Sequence, residues 1–184
     1  MEAGWFTLHN QTNINYLDRD GVINEKAKPH DYIKTWDEFT FLPGVFEALQ
    51  LFAEQHYKIV IITNQRGIAR GMMTKQDVEQ IHEKMCQEIR KHNGNIDGIY
   101  ICPHDYGECD CRKPQIGLFL QAEQTFLPNK EQSWMIGDSP TDIEAGKKYQ
   151  VHTIYLGTKK DVHADHICST LLEAAIYITQ GGTK

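Results

Sequence analysis

The chain has 184 residues, 40% of them hydrophobic, 24% charged and 10% aromatic, with a net charge of −6. A chain of this length buries roughly 70% of its unfolded surface as one domain, and the composition excludes collagen-like, disordered and membrane-spanning classes. The balance of 25 acidic against 19 basic residues lacks the footprint of a general nucleic-acid binder.

Residues 1–10 show no basic run ahead of an apolar one, so no signal peptide is expected. The first strand is predicted at 14–17 and ends in Asp18, Arg19, Asp20 and Gly21. A helix follows over 42–56, with Val45, Leu49, Phe52 and Ala53 on one face. The second strand, 59–62, runs into Thr63, Asn64, Gln65 and Arg66. The next helix spans 74–93, with Thr74 and Asp77 as a capping pair and Gly94 as its stop. The third strand, 98–101, is followed by Cys102, Pro103 and His104. After a helix at 116–126 comes the fourth strand, 134–136, which leads to Gly137, Asp138 and Ser139. A helix over 140–149, a strand at 153–156, a short strand at 165–168 and a helix capped by Ser169 complete the chain. Strands alternating with helices predict an α/β fold, a parallel sheet covered on both faces. No repeat or linker divides the chain, so 1–184 reads as a single domain. In such sheets ligands sit at the carboxyl ends of the strands, where every candidate functional group falls.

Asp18 and Asp20 flank one residue at a strand end. Taken alone they are equally well an Asx-rich turn or a pair for phosphoryl chemistry, one attacking phosphorus and the other moving the proton. Asp138 would add a third carboxylate for a divalent cation. Asp142 would either cap its helix or support a metal ligand from behind. Thr63, Asn64 and Gln65 offer uncharged groups to phosphate oxygens. Arg66 and Arg70 lie on a glycine-containing loop, and Lys26 and Lys28 on the loop after Asp20; these four could hold a second anionic group. Arg112 and Lys113 could neutralise the reacting phosphate. Cys102, His104, Cys109 and Cys111 form a full tetrahedral ligand set for a structural Zn²⁺. Five cysteines, three of them within 102–111, make a poor disulfide framework, so the expected setting is the cytoplasm with mostly reduced thiols. Cys86 and Cys168, in apolar patterns, are expected as buried thiols.

The segments around Asp18-Arg19-Asp20-Gly21, Thr63-Asn64, Arg112-Lys113-Pro114 and Gly137-Asp138-Ser139-Pro140-Thr141-Asp142 resemble, in order, the four motifs of the haloacid dehalogenase superfamily of aspartate-nucleophile phosphatases. The resemblance covers about residues 14–157 and implies a Rossmann-like core. It also implies Asp18 as nucleophile, Asp20 as general acid and base, and Mg²⁺ on the Asp18 and Asp138 carboxylates and the Asp20 backbone carbonyl. Thr63 and Lys113 go to the transferring phosphate, with Arg19, Asn64, Gln65, Arg66 and Arg112 among the substrate-holding residues. Only 38 residues separate Asp20 from Ile59, and 49 separate Thr63 from Lys113, so a capless member is expected.

Within the superfamily, the 63–71 and 97–104 segments look like the zinc-bearing branch that hydrolyses the 7-phosphate of heptose 1,7-bisphosphate. The four-residue span between His104 and Cys109 is nearer the histidinol-phosphatase branch. A non-catalytic zinc module on the same fold is the alternative of a different class. The expected partner is a small phosphorylated sugar, with no nucleic acid, no membrane and a monomeric chain.

Overall fold

The computed structural model describes residues 11–159 and 162–182. The signal-peptide reading of 1–10 and the outermost ends of the single-domain reading lie outside these residues.

Six parallel strands form one sheet: β1 (Ile14–Leu17), β2 (Lys58–Asn64), β3 (Gly98–Cys102), β4 (Trp134–Gly137), β5 (His152–Leu156) and β6 (His166–Cys168), in the order β3-β2-β1-β4-β5-β6. Five helices connect them: α1 (Val45–Glu54), α2 (Lys75–Lys91), α3 (Gly117–Glu123), α4 (Pro140–Tyr149) and α5 (Leu171–Thr179). The order reverses at β1, where the two halves of the sheet diverge and open a crevice at the carboxyl edge.

Period-two alternation assigns strand residues to two cores. Leu17, Ile59, Ile61, Ile136 and Ile154 face α1, α2 and α5. Tyr16, Val60, Ile62 and Met135 face α3 and α4. Both faces are thus covered, as expected for an all-parallel sheet. The connection from β1 to α1 holds only a short 3₁₀ turn at Trp36–Glu38, and the β2-to-β3 connection holds α2 alone.

Most boundaries fall within two residues of the sequence reading, β2 running on through Thr63 and Asn64 and α2 closing at Lys91, and three differences are larger or change a cap. α1 starts at Val45, because the Leu42 amide donates to the Ile23 carbonyl at 2.9 Å and Gly44 turns the chain at φ 79°. α3 ends at Glu123, three residues short of 126. The last helix is capped by Thr170, whose hydroxyl accepts from the Glu173 amide, whereas the Ser169 amide donates to the Glu173 carboxylate. The predicted Thr74–Asp77 capping box is present at α2. Among the described residues no helix is long and apolar enough to cross a membrane.

Candidate active site

The carboxyl ends of β1, β2 and β4 meet in a cavity of about 280 Å³. Its lining includes Asp18 and Asp20 after β1, Asn64 and Gln65 at the end of β2, Asp138 and Ser139 after β4, and Lys113. Lys113 joins the three ends. Its ammonium lies 3.0 Å from Asp18 Oδ1 and 2.7 Å from Asp142 Oδ1, and it is buried. Burial opposes a charged lysine, but the two carboxylates outweigh that cost and raise its pKa. The Lys113 backbone is fixed by the Asn64 side chain, which donates to its carbonyl at 3.2 Å and accepts from its amide at 3.1 Å. Asn64 therefore lines the cavity while its amide is engaged in placing Lys113.

Asp18 is pushed up to about 7, first by burial and then by the neighbouring Asp142, Asp20 and Asp138 carboxylates, with Lys113 opposing. Asp20 behaves oppositely. Burial alone would raise it, but the Arg19 charge and hydrogen bonds from Arg19 (2.7 Å), Asn24 (2.9 Å) and Gln65 (2.9 Å) bring its pKa below the ordinary carboxylate value. The strand-end carboxylates are thus split into one that resists ionisation in the bare chain and one that is held ionised.

Arg19, expected among the substrate-holding residues, has no exposed surface. Its guanidinium bonds Asp20 and lies 3.2 Å from His82 Nε2 of α2. Alternation along an extended chain turns Asp18 and Asp20 to one side and Arg19 to the other, so Arg19 meets the substrate crevice only through Asp20. Thr63 is also buried, and its hydroxyl accepts from the Gln65 amide at 3.0 Å. His82 and Asn24 are participants that the sequence reading missed. A histidine on the apolar face of α2 between Val78 and Met85 was the available signal. Burial and the Arg19 charge push His82 down to about 3, so it is neutral.

Three acidic residues, Asp18, Asp138 and Asp142, bring carboxylate oxygens within 4.8 Å of one another. One oxygen of Asp138 is buried without a hydrogen-bond partner among the described residues, and the other is met by the Lys26 ammonium. Burial and the Asp142 charge raise the Asp138 pKa despite Lys26. Asp142 is largely committed: Oδ2 accepts from the Asp138 and Ser139 amides (both 3.1 Å) and the Ser139 hydroxyl (2.8 Å), while Oδ1 meets Lys113. The Asp20 backbone carbonyl accepts no backbone hydrogen bond among the described residues. This donor set, hard oxygens around a partly borrowed ammonium, fits a small divalent cation.

Cys102, at the end of β3, meets His104, Cys109 and Cys111. The Sγ–Sγ distances are 3.5 Å (Cys102–Cys109) and 3.3 Å (Cys109–Cys111), and His104 Nδ1 lies 3.7 Å and 3.4 Å from Cys102 and Cys111. A tetrahedron with Zn–S of about 2.3 Å and Zn–N of about 2.0–2.1 Å has edges of about 3.5–3.8 Å, so the four donors already stand near ligand spacing. All five cysteines are free. Burial raises the Cys102 and Cys111 thiols. Burial also works against Cys109, but hydrogen bonds from Cys111, from the Arg112 and Cys111 amides and from Cys102 bring it down to about 7.

This loop rests on its neighbours. The Gly117 amide at the start of α3 donates to Asp110, the Ala69 amide donates to Pro103, and the Gln65 amide donates to Cys102. Arg66 and Arg112 lie outside the cavity lining, each one residue from a lining residue, Gln65 or Lys113. They converge on Tyr106, with guanidinium carbons 4.2 Å and 4.4 Å from its ring centroid, and Arg66 Nε donates to Asp105 at 2.5 Å. Arg70 and Lys28 are exposed.

A family model described as polynucleotide kinase 3 phosphatase matches residues 13–175. The D-glycero-alpha-D-manno-heptose-1,7-bisphosphate 7-phosphatase of Campylobacter jejuni is 37% identical over 155 residues, 84% of this chain and 88% of that protein. The D-glycero-beta-D-manno-heptose-1,7-bisphosphate 7-phosphatase of Helicobacter pylori is 39% identical over 168 residues, 89% of this chain and 95% of that protein. Among solved structures, the D,D-heptose 1,7-bisphosphate phosphatase of B. bronchiseptica, complexed with magnesium and phosphate, superposes with a TM-score of 0.84 at 27% identity, covering 92% of this chain and 99% of that one.

Proposed function

Since the chain belongs to the polynucleotide kinase 3 phosphatase family, a haloacid-dehalogenase-like group, we propose that this phosphatase hydrolyses the 7-phosphate of D-glycero-D-manno-heptose 1,7-bisphosphate. The observation that carries the chemistry is the meeting in one cavity of Asp18 and Asp138, from two strand ends, with Lys113 from the loop between β3 and α3. The substrate follows from the named activity of relatives at 37–39% identity over most of both chains.

In this reading Asp18 Oδ attacks phosphorus, the P–O bond to the sugar breaks, and an aspartyl-phosphate forms. Asp20 must enter this step protonated to give a proton to the leaving alkoxide; because Arg19, Asn24 and Gln65 favour its ionised form in the free chain, that proton would arrive with the substrate, from a phosphate monoanion. In the second step Asp20 takes a proton from water as the water oxygen attacks phosphorus, releasing phosphate and restoring the Asp18 carboxylate. The bonds from Arg19, Asn24 and Gln65 favour the ionised Asp20 that this second step requires. Lys113 offsets the charge on Asp18 and is placed to do the same for phosphate oxygens. Asp18, Asp138 and the Asp20 carbonyl would hold Mg²⁺, which when bound supplies the positive charge that lets a carboxylate and a phosphate dianion approach. Asp142 supports from behind by holding Lys113 and the start of α4. The cysteine–histidine cluster would hold a structural Zn²⁺, with no ligand position left for water. The Thr63 hydroxyl and Gln65 amide would serve the phosphate after rearranging their mutual bond, and Arg66 and Arg112 the remote one. One domain in the reducing cytoplasm accommodates all of this.

A substrate panel tests the reading. Heptose 1,7-bisphosphate should exceed histidinol phosphate in kcat/KM by at least about tenfold, which requires only about 1.4 kcal/mol of differential transition-state binding. The reverse order would assign the chain to histidinol phosphate.

A further inference from the structure

Tyr106 is the most exposed large apolar side chain among the described residues, at 68%. Its exposure does not leave it idle. Two guanidinium groups from different segments, Arg66 after β2 and Arg112 after the metal-binding loop, both approach its ring to within 4.4 Å. Bringing two like charges onto one side chain has an electrostatic cost. Here the ring's π electrons and the Asp105 carboxylate on Arg66 offset it. The tip of the loop is built to hold the ring. Asp105 Oδ1 accepts from the Tyr106 amide at 2.6 Å, Glu108 accepts from the Asp105 amide at 2.8 Å, and Gly107 turns the chain at φ 75°. Asp105 pairs with Arg66 and Glu108 is turned to the Asp105 amide, while Arg112 has no ion-pair partner among the described residues. Arg112 Nη1 is buried with no hydrogen-bond partner among the described residues. A buried unpaired donor on a cation is costly unless an anion completes it.

We infer that Tyr106 is a positioning residue that holds Arg66 and Arg112 together as a receptor for the non-reacting phosphate of a bisphosphorylated substrate. This rests on the sugar-bisphosphate reading above and adds the residue that organises its remote end. The arrangement explains how a span of only four residues between His104 and Cys109 contributes to substrate choice. The loop supplies no cation of its own between those two ligands; it aligns two cations supplied from elsewhere. Preorganised cations lose less freedom on binding than free surface arginines.

The test compares Tyr106→Ala and Tyr106→Phe with the parent protein, on heptose 1,7-bisphosphate, histidinol phosphate and p-nitrophenyl phosphate. Tyr106→Ala should raise KM for the bisphosphate about tenfold with kcat nearly unchanged, while p-nitrophenyl phosphate, which has no second phosphate, is affected less than about twofold. Tyr106→Phe, which keeps the π face, should restore KM to within about twofold of the parent. Zinc content by elemental analysis should be equal in all three, which separates lost alignment from a collapsed loop. Equal losses on all substrates, or a Tyr106→Ala protein with the parent's preference for bisphosphate, would overturn the inference alone. A parent protein that prefers histidinol phosphate would instead remove the reading on which it rests.

Discussion

At the scale of single residues, the site is a problem of like charges kept in close quarters. Asp18→Asn removes the carboxylate proposed to attack phosphorus but keeps an oxygen that Lys113 can meet. Turnover should be abolished, since an amide cannot form the acyl-phosphate. The melting temperature of the metal-free protein should hold or rise, because one of the crowded acids is gone. Loss of the folded state would argue against that balance. Gly21→Ala is the sharper probe. Gly21 has φ 88°, and a Cβ there would overlap the Asp138 carboxylate and the Lys26 side chain. Beyond a backbone penalty of about 1 kcal/mol, the variant should bind Mg²⁺ more weakly by calorimetric titration, as Asp138 is pushed aside. The sequence identified Asp18 and Asp20 at a strand end, and the same alternation rule would have turned Arg19 away from the crevice. Its burial against His82 was not legible, because His82 lies 63 positions away on another element.

At the scale of elements, strand ends were legible and helix starts less so. The parallel strands are largely apolar runs whose carboxyl ends lie within two residues of the expected ones, although β2 runs on through the polar Thr63 and Asn64. The start of α1 was set by the Leu42–Ile23 bond, a tertiary contact that no local pattern contains. The cap of α5 was legible and misassigned, since Thr170 rather than Ser169 stands three residues before Glu173. The clustering of Cys102, His104, Cys109 and Cys111 was readable from candidate ligand types alone; the spatial convergence of Tyr106 with Arg66 was not. For this loop, elemental analysis should find about one zinc per chain. Cys109→Ser should lower that content and cut activity although Cys109 touches no catalytic group, because Lys113 follows Cys111 by two residues, and a loosened loop would pull on the Lys113 backbone that Asn64 holds. Full activity in a zinc-free protein would exclude this coupling.

At the scale of the molecule, the crowded acids tie stability to pH and metal. Asp18 keeps its proton in the folded, metal-free chain up to about pH 7, against 3.8 for the unperturbed group. Folding therefore binds a proton at Asp18 between those values, and the contribution of Asp18 to stability falls as pH rises from about 4 to about 7, whereas Asp20, held low, contributes in the opposite sense at the acid end. With Asp18 as the proposed ligand, Mg²⁺ has to displace that proton, so the rise in melting temperature at saturating Mg²⁺ should be larger at pH 8 than at pH 5.5. An equal shift at both would show that Asp18 is not a ligand.

Lys113 carries a consequence in time. Its bonds to Asn64 span 49 positions, and its partners are Asp18 at the end of β1 and Asp142 in the first turn of α4, the helix that follows β4. None of these contacts can form until β1, β2 and β4 are registered side by side, and such distant pairings are slow to close. Helices, by contrast, form locally and fast. On dilution from denaturant, the far-ultraviolet helical signal should therefore return well before catalytic competence, making enzymatic activity a clock for the last stage of assembly.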